Sequence, residues 1–351
     1  MIKKLIFKTT VFIIIFLFLF IIASIPLKHK TGGYSLDNFY ALEKNSRDVF
    51  FVGSSHVHYT IIPALIWQES GITSYDLTAS GLQLWAAYYY IKEVLRYHKP
   101  KVIAVELYGA IYEISHYDTY LLSHISAMRF SKNKIEVIKD RVPKHLKIDY
   151  ILGLPIISKR YKIELEYIRF ALGLQTVETE RLHFNGYRPI YVYRKQERSD
   201  ILKSNVYGEI PEKTLLYLMK IIELSKENKD VKFLFFVSPM GVSQENINIL
   251  NSIEKIAKEN DIECINYNFL YDEIGIDFDS DFWNRGHTNT KGAMKVSMDL
   301  AKRLSKLYAL KDNRKNPDYE FWNVRSKEAM QKIKDDGAVF IEGKNRKTKN
   351  L

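Results

Sequence analysis

A serine pair and a distant histidine supply the residue types from which nucleophilic catalysis is built. Gly53-Ser54-Ser55 follows directly on the apolar run Asp48 to Val52 (D-V-F-F-V). His287 lies in D-F-W-N-R-G-H-T-N-T-K-G-A, Asp281 to Ala293, a polar turn ahead of an amphipathic helix through Val296, Leu300 and Leu304. In an open α/β sheet, ligands gather outside the carboxyl ends of the strands, so a serine here faces a crevice. A helix beginning just beyond it would aim its first N–H groups at a developing oxyanion. A neutral imidazole, with a reference pKa of about 6.5, can take a serine proton and return it near neutrality. Singly, each motif has an ordinary reading, a serine helix cap or a turn histidine. The two together carry the weight.

To bring these turns into one pocket the chain needs a sheet. Asp48 to Val52, Ser74 to Leu77, Lys101 to Leu107 (K-V-I-A-V-E-L), Val231 to Val237 (V-K-F-L-F-F-V) and Ile262 to Tyr267 read as strands, while Leu82 to His98 and Glu245 to Asn260 read as helices. Near-continuous apolar strands separated by helices predict an α/β fold, a doubly wound parallel sheet of about five strands covered on both faces. The stretch from Leu107 to Val231 is too long for a loop, and it is broken near Pro143, Pro155 and Pro189. It is expected as a mostly helical insertion at about 110–228. The domain so delimited covers residues 31–312, and 313–351 form a basic C-terminal tail. Its final G-K-N-R-K-T-K-N-L has four cations and no acid, which reads as solvated chain, with contact to anionic lipid or teichoic-type phosphate as the alternative.

These motifs resemble the SGNH/GDSL hydrolase superfamily, in particular its membrane-anchored envelope branch of DltD-like and alginate-acetylation-type proteins. The superfamily's G-D-S block is similar to Gly53-Ser54-Ser55, with Ser54 in place of Asp. Its closing D-x-x-H block is similar to Asn284-Arg285-Gly286-His287, with Asn284 in place of Asp, and H-T-N-T-K-G-A looks like the H-L-N-x-x-G-A of that branch. Its glycine block looks like Asp76-Leu77-Thr78-Ala79-Ser80-Gly81. At Val105 to Gly109 no asparagine matches the G-x-N-D block, so no third oxyanion donor is carried over. The resemblance covers roughly residues 48–108 and 230–305. It implies an SGNH/flavodoxin-like fold with Ser55 as nucleophile, His287 as base and the backbone N–H groups of Ser55 and Gly81 as oxyanion donors. An acyl-serine would pass its acyl group to water or to a polymer hydroxyl. His287 needs an orienting acceptor; Asn284 helped by Asp281 is the first choice, with Asp279 as another source of charge. The activity implied is an O-acyltransferase or acyl-esterase of a cell-envelope polysaccharide or teichoic-type polymer, working beside a membrane-bound O-acyltransferase. Two alternatives stand beside it: an impaired, polymer-binding or envelope-assembly protein, and a small-ester lipase or esterase.

The remaining candidates have less specific chemistry. His56 and His58 form an H-x-H without an evident third ligand, so no metal is expected. Glu106 either lines the crevice or pairs with a nearby Lys or Arg. In Tyr88-Tyr89-Tyr90 at least one ring must enter the core. Arg181 to Tyr193, with His183, Tyr187 and Tyr191, suits a sugar or polyol surface, and ordinary packing explains it equally well. Neither a P-loop nor a dinucleotide glycine fingerprint is present, so no cofactor is expected.

Composition sets the class and the compartment. Of 351 residues 46% are hydrophobic, enough for a large core, and Cys264 is the single cysteine. That excludes an internal disulfide framework and a cysteine-rich zinc module. The net charge of +11 points to an anionic neighbour. From Thr9 to Leu27 no side chain is charged, and at 1.5 Å per residue this stretch spans about 28 Å as a helix, close to the bilayer's hydrocarbon thickness. It exceeds a signal-peptide core, and Ala23-Ser24-Ile25 is a poor cleavage site, so residues 1–30 are expected as an uncleaved single-pass transmembrane anchor in the lipid bilayer. A short stub with Lys3, Lys4 and Lys8 favours a cytoplasmic N-terminus and an extracytoplasmic catalytic domain, which sets nucleic acid aside as a partner.

Overall fold

The structure is a computed structural model. It describes residues 2–28, 34–111, 121, 124, 125, 127–152 and 184–343, the side chains of 21–28, 34, 37 and 152 excepted. The chain divides into two compact units, Met1–Asp37 with His116–Glu178 and Asn38–Ser115 with Thr179–Leu351. In the first unit α1 (Ile2–Lys28) is a continuous helix. Its large apolar side chains from Ile2 to Leu19 are exposed, and Phe12, Phe16 and Phe20 stack one turn apart at 6.4 and 6.3 Å. Lys3, Lys4 and Lys8 share this stretch, and among the described residues no helix is long and apolar enough to cross a membrane. Among the described residues the same unit also has the short helices Lys132–Arg141 and Lys147–Leu152.

In the second unit the strands follow as β1 (Val49–Gly53), β2 (Ser74–Thr78), β3 (Val102–Glu106), β4 (Val192–Tyr193), β5 (Lys232–Val237) and β6 (Glu263–Asn266). All but β4 join one parallel sheet in the spatial order β2-β1-β3-β5-β6. Every residue of β1 and β3 is buried, which is why both read as unbroken apolar runs; a sheet covered on two faces takes apolar side chains in both directions. The chain's progress across the sheet reverses between β1 and β3. At such a switch point the loops diverge and leave a crevice at the carboxyl ends, here marked by Gly53 and Glu106.

The helices of this unit include α2 (Ser55–His58), α3 (Pro63–Ser70), α4 (Leu84–Tyr97), α5 (Glu212–Glu227), α6 (Gln244–Lys258), α7 (Thr290–Tyr308) and α8 (Glu320–Asp336). One sheet face packs Val49, Phe51, Ala104 and Phe236 with Ile66 of α3 and Val296 and Leu300 of α7. Helix α4 lies on β1, and α5 lies on α4. The helix expected to follow Ser55 is a single turn. Pro63 keeps it separate from α3: Ile62 stands at φ −111°, ψ 94°, because a residue before proline is crowded out of the helical region.

Two expected segments come out differently. Within the insertion, residues 194–211 have no regular helix or strand; their N–H groups instead reach carbonyls elsewhere in the unit, as Arg194 to Phe282, Gln196 to Phe278 and Gly208 to Asn248. The breaks near Pro155 and the residues Arg181 to His183 lie outside the described residues. Residues 313–343, expected as part of a basic tail, hold α8, whose Trp322, Ala329 and Ile333 are buried. Trp322 lies 5.5 Å from the Trp67 ring of α3, and Trp67 Nε1 donates to Asn323 Oδ1 at 3.1 Å. A hairpin, β7 (Phe282–Asn284) with β8 (His287–Thr288), precedes α7, and β9 (Ile341–Glu342) pairs with β4. The last eight residues, with most of the cationic run, lie outside the described residues.

Candidate active site

The site begins at the carboxyl end of β1. Ser54 is extended (φ −82°, ψ −162°) and caps α2, its Oγ accepting from the His56 N–H at 3.2 Å. That places Ser55 at the first helical position, half-buried beside the crevice. Gly53 has to be glycine here, since a Cβ would stand 2.6 Å from both Glu106 Cβ and Val57 Cγ2. Next to this turn runs the loop after β2, tied in by the Ala79 N–H donating to Gly53 O at 3.3 Å. It holds Gly81 at φ +62°, a left-handed conformation that glycine adopts without a side-chain penalty.

From the other end of the unit the β7–β8 hairpin brings His287, whose Nε2 lies 2.7 Å from Ser55 Oγ across 232 positions of sequence. His287 Nδ1 meets Asn284 Oδ1 at 3.0 Å, and the Gly286 N–H donates to the same oxygen at 2.8 Å. The second bond fixes the first. A backbone N–H can only donate, so the Asn284 atom is an acceptor, and the ring nitrogen facing it must carry the proton. Nε2 is then left with its lone pair toward Ser55, the tautomer a general base requires.

Hydroxyl contacts join the two distant turns. Thr60 and Thr288 meet at 3.0 Å, Thr288 Oγ1 donates to Tyr59 O at 3.3 Å, and Ser297 Oγ of α7 accepts from the Ile62 N–H at 2.9 Å and donates to Thr60 O at 3.2 Å. Asn289 caps α7 by accepting from the Lys291 and Gly292 N–H groups, so the helix start is fixed two residues after His287.

Aromatic rings enclose the imidazole. His56 stacks on it at 4.5 Å, Tyr59 meets it edge-on at 5.3 Å and Trp283 lies tilted at 5.5 Å. Behind His56, Tyr108 stacks at 4.0 Å. Burial holds His287 down at about 4, since the imidazolium loses hydration among these rings. His56 is held well below 6.5 by burial and then by His287. Both rings are neutral at pH 7, and His287 is ready to accept a proton.

Of the residues expected at the site, Ser55, His287 and Asn284 come together, with the Gly81 loop beside them. Asp281 does not join them. Its carboxylate takes Lys295 Nζ at 2.6 Å and the Asp277 N–H at 2.7 Å, so it braces the hairpin's approach instead of charging the imidazole. Asp279 pairs with Lys195 at 2.8 Å. His56 and His58 part company, His58 bonding Thr78 Oγ1 at 3.0 Å, and among the described residues no group of three or more His, Cys, Asp or Glu could hold a metal ion. Tyr187 is wholly buried, its hydroxyl donating to Thr290 Oγ1 at 3.0 Å, so that ring offers no surface to a sugar. Tyr89 and Tyr90 are core, and Tyr88 is half-buried.

Glu106 was expected to line the crevice or pair with a cation, and it does neither. It is 2% exposed, accepts from Ser54 Oγ at 3.1 Å and from the Tyr108 N–H at 2.8 Å, and burial pushes its carboxyl up to about 8. A polar residue closing an apolar strand at a switch point was the available signal. Tyr59 and Trp283 were not foreseen either; both are immediate neighbours of motif residues whose rings fold back over the histidine.

No family model matches the chain, and no curated protein matches it. Among solved structures, an acetyl xylan esterase (Est2A) from the rumen bacterium Butyrivibrio proteoclasticus is similar at 11% identity and a TM-score of 0.31, over 76% of this chain and 66% of that one.

Proposed function

We propose that the protein is a membrane-anchored serine acyl-transfer enzyme, an O-acyltransferase or acyl-esterase acting on a polysaccharide or teichoic-type polymer of the cell envelope. The observation that carries the chemistry is the unbroken line from Ser55 Oγ to His287 Nε2 at 2.7 Å and from Nδ1 to Asn284 Oδ1 at 3.0 Å. Ser55 Oγ attacks an ester carbonyl as Nε2 takes its proton, and the Ser55 and Gly81 N–H groups receive the oxyanion. Collapse breaks the ester C–O bond, and the imidazolium gives its proton to the departing alcohol. Water or a polymer hydroxyl then attacks the acyl-serine, losing its proton to Nε2, and Ser55 recovers its own. The polymer and a membrane-bound O-acyltransferase partner rest on the sequence resemblance, because a fold does not choose a substrate.

Membrane attachment is supported by the uncharged stretch Thr9 to Leu27 and by the exposed apolar run Val11 to Leu19 within α1; a run apolar on every side needs an apolar surrounding. The proposed topology has residues 1–30 in the bilayer and the serine site outside the cytoplasm. The full chain should sediment with membranes through an alkaline wash and move to the detergent fraction, whereas a chain starting at residue 31 should stay in the supernatant.

A fluorophosphonate probe tests the chemistry. It should label the full chain on Ser55, and Ser55→Ala and His287→Ala should each abolish labelling. A second reading, a polymer-binding protein without turnover, is favoured by the absence of charge at Asn284 and the diversion of Asp281 to Lys295. It predicts no labelling together with retained polymer binding.

A further inference from the structure

We infer that Glu106 is a positioning residue for the nucleophile, its carboxyl tying the ends of β1, β3 and β5 together and holding, through Ser54, the turn that carries Ser55. The inference rests on the serine acyl-transfer reading and adds to it a residue that the motifs do not contain. Glu106 closes β3, and its two oxygens face different elements. Oε2 accepts from Ser54 Oγ at 3.1 Å, and Oε1 accepts from the Tyr108 N–H at 2.8 Å. The Ser54 and Ser238 N–H groups are also within its reach.

Ser54 is thereby fixed in both of its capacities. Its hydroxyl proton goes to Glu106, and its oxygen receives the His56 N–H that starts α2. Ser238, following β5, donates its hydroxyl to His56 O at 3.1 Å and so grips the same turn from its far side. Gly53 lets the backbone pass against Glu106 Cβ. Ser55 therefore stands between Ser54, whose hydroxyl this cluster holds, and His56, whose backbone N–H and carbonyl it holds, and the His56 ring is in turn a wall of the His287 pocket.

The partners of Glu106 among the described residues are neutral N–H and O–H groups, with no lysine or arginine among them. The groups around it are Ser54 and His56 from the β1–α2 turn, Tyr108 after β3 and Ser238 after β5, with His287 beyond His56. A carboxylate accepts from all of these donors at once. Protonation turns one oxygen into a donor and forces it away from a neighbour that can only donate. With its carboxyl pushed up to about 8, Glu106 changes charge well apart from His287 at about 4.

The test uses the full chain in detergent, with the rate of Ser55 labelling by a fluorophosphonate and the hydrolysis of p-nitrophenyl acetate as readouts. Glu106→Gln keeps the shape but has a single acceptor oxygen. Above pH 8, where Glu106 carries its charge, loss of that hydrogen-bond partner predicts labelling and kcat about 10- to 100-fold lower, with KM unchanged, and below pH 8 the difference narrows. The wild-type rate should rise through a step near pH 8 that Glu106→Gln lacks, a readout that a purely structural residue would not move. Ser54→Ala should fall in the same direction, and the two substitutions together should cost less than the sum of their separate effects, since they share the Ser54–Glu106 bond. Wild-type kinetics and pH profile in Glu106→Gln would overturn the inference. Should that variant fail to fold, Ser54→Ala labelling at the wild-type rate overturns it equally. A wild-type chain that does not label on Ser55 sinks the acyl-transfer reading and this inference with it, whereas a labelled wild type with an indifferent Glu106→Gln sinks only the second.

Discussion

When Ser55 gives up its proton, His287 becomes a half-buried cation, and the group facing Nδ1 sets the cost of that charge. Asn284 offers an oriented oxygen dipole and no charge, and the ring is already held at about 4 by burial. Asn284→Asp should raise the His287 pKa, since a neighbouring opposite charge favours the imidazolium. The acid limb of the pH–rate profile should move upward with it. The ester hydrolysis rate should rise by at least about tenfold, below the roughly 10⁴ that the converse change costs a serine protease. Asp281→Asn, by contrast, should lower thermal stability through the loss of Lys295 and leave the acid limb where it is. Position 54 obeys a related logic. A carboxylate there would stand against Glu106, about 3 Å away and out of water, and two such groups cannot both ionise. Ser54→Asp should therefore depress the melting temperature, and Ser54→Asp combined with Glu106→Gln should recover most of it.

At the scale of elements, α8 is the part of the fold that its own residues announce least. Its buried positions, Trp322, Ser326, Ala329 and Ile333, keep helical spacing, but two of the four are small or polar, so no apolar stripe stands out among the charges around them. What holds it is tertiary: Trp322 beside Trp67, Asn323 accepting from the Trp67 indole, and the Arg47 guanidinium 4.5 Å above Trp322. Trp322→Ala should cost about 3–5 kcal/mol by emptying that contact, while Phe321→Ala, 63% exposed next door, should stay within about 0.5 kcal/mol; thermal or urea unfolding separates them. The parallel strands lie at the other extreme. V-F-F-V and V-I-A-V in β1 and β3 fill both sheet faces with apolar side chains, so their identity is local and their ends could be read to within a residue or two. The same holds for Ser55 and His287, which sit at element boundaries that local pattern defines. Glu106, Tyr59 and Trp283 act across the pocket, and the diversion of Asp281 depends on Lys295 14 positions away; such contacts exist only once the sheet order has been chosen.

Across the whole molecule the buried titratable groups form two opposed sets. His56, His98 and His287 all lie below 6.5, His98 and His287 at about 4, because burial disfavours the imidazolium. On unfolding they take up protons near 6.5, so folding loses stability as the pH falls from 6.5 through 4. Asp76 and Glu106 are shifted the other way by burial, Glu106 from 4.5 to about 8. Unfolded, they ionise at their ordinary values, so folding loses stability as the pH climbs from about 4 through 8. Between 4.5 and 6.5 three histidines work against two acids, and above 6.5 the acids act alone. The melting temperature, followed by circular dichroism from pH 4.5 to 9, should therefore peak near pH 6.5 and decline on both sides. Glu106→Gln removes one of the two acids, so it should flatten the alkaline side and steepen the acid side, where three histidines then work against a single acid. A melting temperature that rises steadily to pH 9 in the wild type would mean that Glu106 meets water or a cation in the folded protein, contrary to its burial beneath the turn that carries Ser55.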